Sequence, residues 1–418
     1  MKKLLLITYY FPPCGGAGVQ RWLRILKYLP DKSWDITVLT TNNGDYPIID
    51  ESLVAQIPES IKVVRTKTPV FGNFYKKVAK DQNGLPYGTL NSDTNDSFIK
   101  KILYWLRINI ILPDARVIWN RFAYKEAVNL LQKEKFDLVV TSSPPHSTQF
   151  VGLKLKRKFN LKWVTDFRDP WADIFYLKLA GQNKLAYLIN KRWERIVIGA
   201  ADLNLIVSES INKTLPQGEK VTFTNSFDPE DFVTTPYIRG DKFRIKYIGK
   251  ITEAQDIESV MAAINELPNL TQALEFTFIG TFQYNPFNSD FSVITKNYLP
   301  HAEAITEMIN ADLLVLLIND YPQNAGMLTT KLFEYLGANV PILCVGPDVG
   351  DAKEVIEECK AGVSCSYGDI DAIKKYISTI FVDWQLNMSP IMNNNKNYSI
   401  VNQIDMLNYI LRKTISKD

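Results

Sequence analysis

Two threonines, a lysine and a glutamate fall within six consecutive positions, Thr329-Thr330-Lys331-Leu332-Phe333-Glu334, in a stretch that reads as loop, helix and strand. Thr329 or Thr330 suits the N-cap, and the small-residue loop from Gly326 leaves backbone N–H groups free at the helix start. Such a start favours an anion, typically phosphate. Leu328, Leu332, Phe333 and Leu336 recur at helical spacing and give the helix one buried face. Asn339 suits a left-handed cap, and Pro341 prevents continuation. Glu334 lies four residues after Thr330, one beyond the capping-box spacing, so capping does not explain it. A carboxylate one turn inside this helix repels phosphate but accepts hydrogen bonds from a ribose diol. The plainer reading is a solvated surface glutamate.

Three other stretches carry candidate chemistry. A first apolar strand runs into Tyr9-Tyr10-Phe11-Pro12-Pro13-Cys14-Gly15-Gly16-Ala17-Gly18 and then a helix; glycines there permit close backbone approach. It is a poor dinucleotide fingerprint, because no third glycine has the required spacing and the second strand ends in Thr40-Thr41-Asn42 without a carboxylate. Further on, Thr141-Ser142-Ser143-Pro144-Pro145-His146 and Thr165-Asp166-Phe167-Arg168-Asp169 end two strands and are expected to border one cleft beside the glycine loop. His146, Arg168 and Asp169 are the catalytic candidates. The plainer alternative makes Asp166, Arg168 and Asp169 an internal ion cluster. Lys250, after Gly249, stands at a strand end in the second half, where a cation can meet a diphosphate.

The elements that must position these groups alternate strand and helix throughout. Strands are expected near 3–8, 35–40, 61–65, 137–141, 162–166 and 202–207, then near 243–248, 274–279, 313–318, 342–345 and 362–366. This alternation predicts an α/β fold with parallel sheets covered by helices on both faces. At 418 residues two domains are expected. Lys2-Lys3 and the short apolar run 4–7 read as a first strand rather than a leader, and no run reaches membrane-spanning length. Four cysteines and two histidines show no metal-type spacing, and no Asp-x-Asp pair ends a strand.

At these residues the chain resembles the retaining GT-B glycosyltransferases of family 4. The resemblance implies two Rossmann-like domains facing a central cleft, with a C-terminal helix crossing back to the first: 1–228, 229–395 and 396–418. Gly15 and Gly16 resemble the family's glycine loop. Glu334 matches the second glutamate of its Glu-(seven residues)-Glu motif, the donor-ribose ligand, while the first falls at Gly326. Lys250 matches the first of two diphosphate-binding cations; the second position is Gln255, and Lys331 is a candidate replacement. The family's strand-end histidine is replaced by Arg168, with His146 as a substitute. Tyr298-Leu299-Pro300-His301 falls where members hold the nucleobase. The resemblance therefore implies donor binding by Gly15, Gly16, Lys250, Gly326, Thr329, Thr330, Lys331 and Glu334. No cofactor is implied beyond the nucleotide-diphosphate sugar as co-substrate, and no metal. The implied activity is transfer of a sugar to a hydroxyl of a cell-surface polysaccharide or lipid-linked glycan. A GT-B sugar-nucleotide epimerase, or a non-catalytic sugar-nucleotide-binding or scaffold subunit, are the alternatives.

Charge adds one expectation about partners. Residues 1–230 carry 33 Lys and Arg against 22 Asp and Glu, a net +11, whereas 231–418 carry 15 against 23, a net −8. The basic half suits an anionic membrane surface or a polyprenyl-pyrophosphate-linked acceptor. Basic and aromatic residues at 74–77 and 100–107 flank a polar stretch at 81–97, expected to be a mobile loop, and suit a membrane interface. Nucleic acid is not expected, for want of a recognised motif. The expected location is cytoplasmic, peripheral on the inner face of the plasma membrane.

Overall fold

The computed structural model describes residues 1–46, 48–68, 98–233, 236–282, 289, 291–388 and 394–417. The stretches 74–77 and 81–97 singled out above lie outside these residues. The chain forms two compact units, Met1–Phe223 with Ile404–Asp418, and Thr224–Gln403. It leaves the first at Phe223, ahead of the boundary drawn at 228. The last helix, Ile400–Ser416, begins in the second unit and belongs to the first from Ile404 onward.

The first unit holds a seven-stranded sheet, β1 (Lys2–Ile7), β2 (Trp34–Thr41), β3 (Lys62–Thr66), β4 (Leu138–Ser143), β5 (Trp163–Phe167), β6 (Leu203–Ile206) and β7 (Lys220–Thr222). Its order is β3-β2-β1-β4-β5-β6-β7, and every neighbouring pair is parallel. The order reverses between β1 and β4, and ligands of open parallel sheets gather beyond the strand ends at such a point. The central strands are almost wholly buried, as parallel strands covered on both faces must be.

The second unit holds β8 (Phe243–Ile251), β9 (Leu274–Phe282), β10 (Val293–Lys296), β11 (Leu313–Leu317), β12 (Ile342–Gly346) and β13 (Gly362–Ser366), again all parallel, in the order β10-β9-β8-β11-β12-β13. Its core has two layers, one on each sheet face. Leu313, Val315, Leu317, Leu343 and Val345 face one cluster; Leu314, Leu316, Ile342 and Cys344 face the other, together with helix Thr330–Ala338. Here the order reverses between β8 and β11. Gly249 and Lys250 lie within the last turns of β8 rather than after it.

Asp166 is the buried charge that ties the first unit together. Its side chain is fully inaccessible, and Arg21 donates to Oδ1 from Nε at 3.0 Å and Nη2 at 2.9 Å. Trp22 Nε1 (2.7 Å) and Ser142 Oγ (2.8 Å) donate to Oδ2. Arg21 Nη2 also donates to the Phe223 carbonyl at 2.8 Å, with its guanidinium 4.9 Å from that ring centre. One carboxylate thus joins the first helix, β4, β5 and the end of the first unit. The ion cluster of Asp166, Arg168 and Asp169 is corrected accordingly: Asp166 pairs with Arg21, because its strand position points it into the sheet face covered by helix Ala17–Tyr28. Removing one partner of a buried, hydrogen-bonded pair leaves the other charge stranded, so Asp166→Asn is expected to lower unfolding free energy by about 3–5 kcal/mol. Urea unfolding measures it; a loss under about 1 kcal/mol would refute the assignment.

Candidate functional site

In the second unit the candidate groups collect where β8 and β11 part. Helix Thr330–Ala338 follows the loop after β11, and Thr329 is its N-cap in extended conformation (φ −77°, ψ 149°). The Thr329 side chain makes no capping hydrogen bond, and its Oγ1 is buried without a partner among the described residues. The helix start is therefore built without the side-chain acceptor that Ser, Thr or Asp normally supply. Gly326 is buried in the short 3₁₀ turn Asn324–Gly326 that delivers the chain to this start. Asn339 closes the helix in the left-handed region (φ 57°).

Lys331 reaches back across the sheet end to the Gly249–Lys250 segment. Its Nζ donates to Tyr247 Oη at 3.0 Å and lies 4.7 Å from the centre of that ring. Gln255 Nε2 donates to the same hydroxyl at 3.1 Å, and Tyr247 Oη donates to the Lys250 carbonyl at 2.8 Å. The lysine ammonium and the Gln255 amide thus touch one oxygen. Gly249 makes the approach possible: a side chain there would collide with Lys331 Nζ, and its φ of 147° lies in the region only glycine adopts readily. Lys250 points outward, and partial desolvation at the strand end holds its ammonium below the ordinary lysine range. Ile248 N–H donates to Tyr335 Oη at 3.2 Å, which fixes the register of the helix on β8.

Glu334 is not a solvated surface residue. It is 7% exposed and lies 3.9 Å from His301 Nδ1, whose Nε2 is 3.2 Å from Asp231 Oδ2. Its helix is buried on more than one face, with Leu332, Phe333, Tyr335 and Leu336 also inaccessible. His301 opens helix His301–Ile309, and Asp231 lies in the 3₁₀ turn Pro229–Phe232. The sequence placed His301 in the expected nucleobase stretch but paired it with neither carboxylate, and it gave Asp231 no role. The usable signal was His301 directly after Pro300, a helix-start pair in a chain with only two histidines.

In the first unit the glycine loop is pinned by its neighbours. Gly15 N–H donates to the Ile48 carbonyl at 3.0 Å, and Asp50 N–H to the Pro13 carbonyl at 2.8 Å. Gly16 caps helix Ala17–Tyr28 with φ 92°. Arg168 donates Nε to the Ser143 carbonyl (3.1 Å), Nη2 to the Pro144 carbonyl (2.9 Å) and Nη1 to the Gly18 carbonyl. A Cβ at Gly18 would stand 2.7 Å from Arg168 Nη1, so this glycine of the loop, for which the sequence indicated no partner, leaves room for the guanidinium. Arg168 therefore joins the ends of β4 and β5 to the glycine loop.

His146 and Asp169 flank this arginine in opposite electrostatic situations. His146 is buried, stacked on Trp171 (5.4 Å, 10° between planes) and on Phe167 (6.2 Å, 26°). Burial, aided by the Arg168 charge, pushes its pKa down to about 3 against a weaker pull from the Pro170 carbonyl, so the ring is neutral at pH 7. Burial pushes Asp169 up to about 6, and Arg168 only partly offsets this. Asp169 holds its proton more tightly folded than unfolded. Its contribution to stability is complete below the unfolded value near ~3.9 and is lost as pH rises through about 6. Asp169→Asn removes that loss. Its melting temperature relative to the parent should rise between pH 4 and pH 7, and a difference that stays constant across that range would refute the buried charge.

No family model and no curated protein matches the sequence. Solved structures do match over the whole chain. Sucrose-phosphate synthase from Thermosynechococcus elongatus is 13% identical with a TM-score of 0.64, covering 99% of each chain. The Anabaena protein HepE, solved with UDP and glucose, is 14% identical with a TM-score of 0.64, covering 99% of this chain and 100% of its own. A glycosyltransferase from Rickettsia africae is 13% identical with a TM-score of 0.62 over 100% of both chains. At such identities the likeness is one of fold, and the fold is the α/β architecture of the GT-B glycosyltransferases.

Proposed function

We propose that the protein is a retaining glycosyltransferase of the family 4 type, moving a sugar from a nucleotide-diphosphate donor to a hydroxyl of a cell-surface polysaccharide or lipid-linked glycan without a metal. One observation carries the reading. At the end of β8 Lys331 lies against the strand that carries Lys250, and its own helix has a start without a side-chain cap and a buried carboxylate, Glu334, one turn in; this set of groups suits a nucleoside diphosphate. The Anabaena neighbour was solved with UDP and glucose, which accords with a donor of this chemistry.

In this reading the second unit holds the donor. Leaving-group charge on the diphosphate is met by Lys250, by Lys331 in place of the absent cation at Gln255, and by the backbone N–H groups at Thr329 and Thr330. Glu334 accepts the ribose hydroxyls. Gly326 contributes close backbone approach where the family carries its first glutamate. The first unit receives the acceptor beside Gly15 and Gly16, with Asp169 to bind a hydroxyl and Arg168 to hold the loop and the strand ends in register. His146 is the neutral, stacked support of that wall. The acceptor attacks from the donor's own face and the leaving phosphate takes the proton, so no protein base is needed. An epimerase is disfavoured, because it needs an acid–base pair and His146 is neutral and enclosed.

Calorimetry with UDP, GDP and ADP tests the donor assignment. Lys331→Ala should cost about 1.5–3 kcal/mol of diphosphate affinity and distinctly less for the 5′-monophosphate. Glu334→Ala should cost about 1–3 kcal/mol for both, since it reads the ribose. Unchanged affinities in folded variants would sink the donor site.

A membrane-facing surface is the second reading, and it rests on exposed apolar groups. Ile102 and Trp105 in helix Phe98–Asn109 are 42% and 49% exposed, and Leu179 and Leu185 are 60% and 68% exposed. Asn109 joins the two regions, accepting from Asn183 N–H at 2.7 Å. Lys101, Lys178 and Lys184 are exposed beside them. Large apolar side chains rimmed by lysines suit an anionic lipid surface. No helix among the described residues is long and apolar enough to cross a membrane. Flotation with phosphatidylglycerol vesicles should show binding that weakens as salt rises and falls in Trp105→Glu and Leu185→Glu; equal binding to neutral vesicles, or none to either, rejects it.

A further inference from the structure

Three elements meet around one imidazole in the second unit. His301 comes from the first residue of helix His301–Ile309, Asp231 from the turn Pro229–Phe232, and Glu334 from helix Thr330–Ala338. Gly337 brings them together. A side chain there would collide with the Phe232 ring, and Phe227 Cδ2 would stand 3.0 Å away, so only glycine lets the turn lie directly on the helix. The imidazole is then enclosed, with a side chain 12% exposed, and the Glu334 side chain is 10% exposed.

The distances differ in a way that bears on function. Asp231 Oδ2 is 3.2 Å from Nε2, within hydrogen-bond range, and so fixes the plane of the ring. Glu334 Oε1 is 3.9 Å from Nδ1, too far for a hydrogen bond and close enough for charge to act. A neutral ring that gives its proton to Asp231 turns a lone pair toward Glu334; only the doubly protonated ring offers N–H to both carboxylates. Held by Asp231, the ring limits the space open to the Glu334 carboxylate beside it. We infer that His301 is a positioning residue for Glu334, and that the discrimination of ribose from 2′-deoxyribose in the bound nucleotide passes through the Asp231–His301–Glu334 chain.

The inference rests on the proposed role of Glu334 at the donor ribose. It adds that the carboxylate alone does not suffice. The 2′-hydroxyl has one proton to give, and that bond is strong only while the carboxylate is aimed at it. His301 supplies that aim, and Asp231 holds His301.

The test is the ratio of affinities for UDP, GDP and ADP over their 2′-deoxy forms, measured by calorimetry on the full chain alongside thermal melts. The parent should prefer the ribose form by about tenfold or more, the value of one charged hydrogen bond. His301→Ala and His301→Gln should each lower the preference to below about threefold while the melt is retained. Asp231→Asn should lower it in part, and His301→Ala should add nothing to Glu334→Ala. Should both His301 variants unfold, Asp231→Asn decides, since it leaves the ring in place. A full ribose preference in a folded His301 variant, with Glu334→Ala abolishing it, overturns this inference and leaves the donor reading standing. A preference untouched by Glu334→Ala overturns both.

Discussion

Where a glycine sits decides where positive charge can stand in this protein. In the first unit Gly18 admits the Arg168 guanidinium to a backbone carbonyl at the start of the first helix. In the second, Gly249 admits the Lys331 ammonium beside the end of β8. Any Cβ at either position would occupy the space of the cationic head. Each long side chain comes from beyond the strand concerned, Arg168 from the end of β5 and Lys331 from the helix after β11. Each therefore ties neighbouring strand ends across the point where strand order reverses. The rest of each site depends on that tie: the glycine loop in one unit, the Tyr247–Gln255–Lys250 segment in the other.

The first unit treats two neighbouring acids differently, the fully buried Asp166 and the half-buried Asp169. Asp166 accepts four hydrogen bonds from three residues, so its charge is matched in place. Asp169, three residues on, has only the nearby Arg168 charge, and burial raises its pKa. Arg168 cannot match it fully because three of its nitrogens already donate to carbonyls. The contrast follows from strand geometry. Asp166 lies within β5 and turns inward to the helix carrying Arg21, whereas Asp169 lies beyond the strand end, where no ladder or helix supplies donors.

The sheets were legible because their strands are apolar runs bounded by turn residues. The expected strand near 137–141 is β4 (Leu138–Ser143), and that near 313–318 is β11. Two strands had no such signal. Lys-Val-Thr at β7 and Val-Ile-Thr-Lys at β10 are short edge strands, half exposed, whose pairing comes from the sheet beside them rather than from their own pattern. The candidate site was legible where local spacing carried it, as in the helix start at Thr329 and its left-handed end at Asn339. It was not legible where the partner lies far along the chain. Arg21 is 145 residues from Asp166, and His301 is 70 from Asp231. Nothing in the local sequence marks either pair. Gly18 and Gly337 were likewise silent, since what they accommodate comes from another element.

One departure from the expected motif has a structural answer. The resemblance implies a lysine at the position of Gln255, and Gln255 has its own work: its Oε1 accepts from Thr252 N–H at 2.9 Å while its Nε2 donates to Tyr247 Oη. The amide thus shapes the turn after β8 and orients the hydroxyl on which Lys331 rests. With glutamine there, the charge moves to the helix, onto a residue next to the N-terminal backbone groups that the proposed reading also assigns to phosphate. In that reading charge and helix start act from one rigid element whose register Tyr335 fixes on β8. A cation on the 251–256 turn would instead be held only as well as that turn.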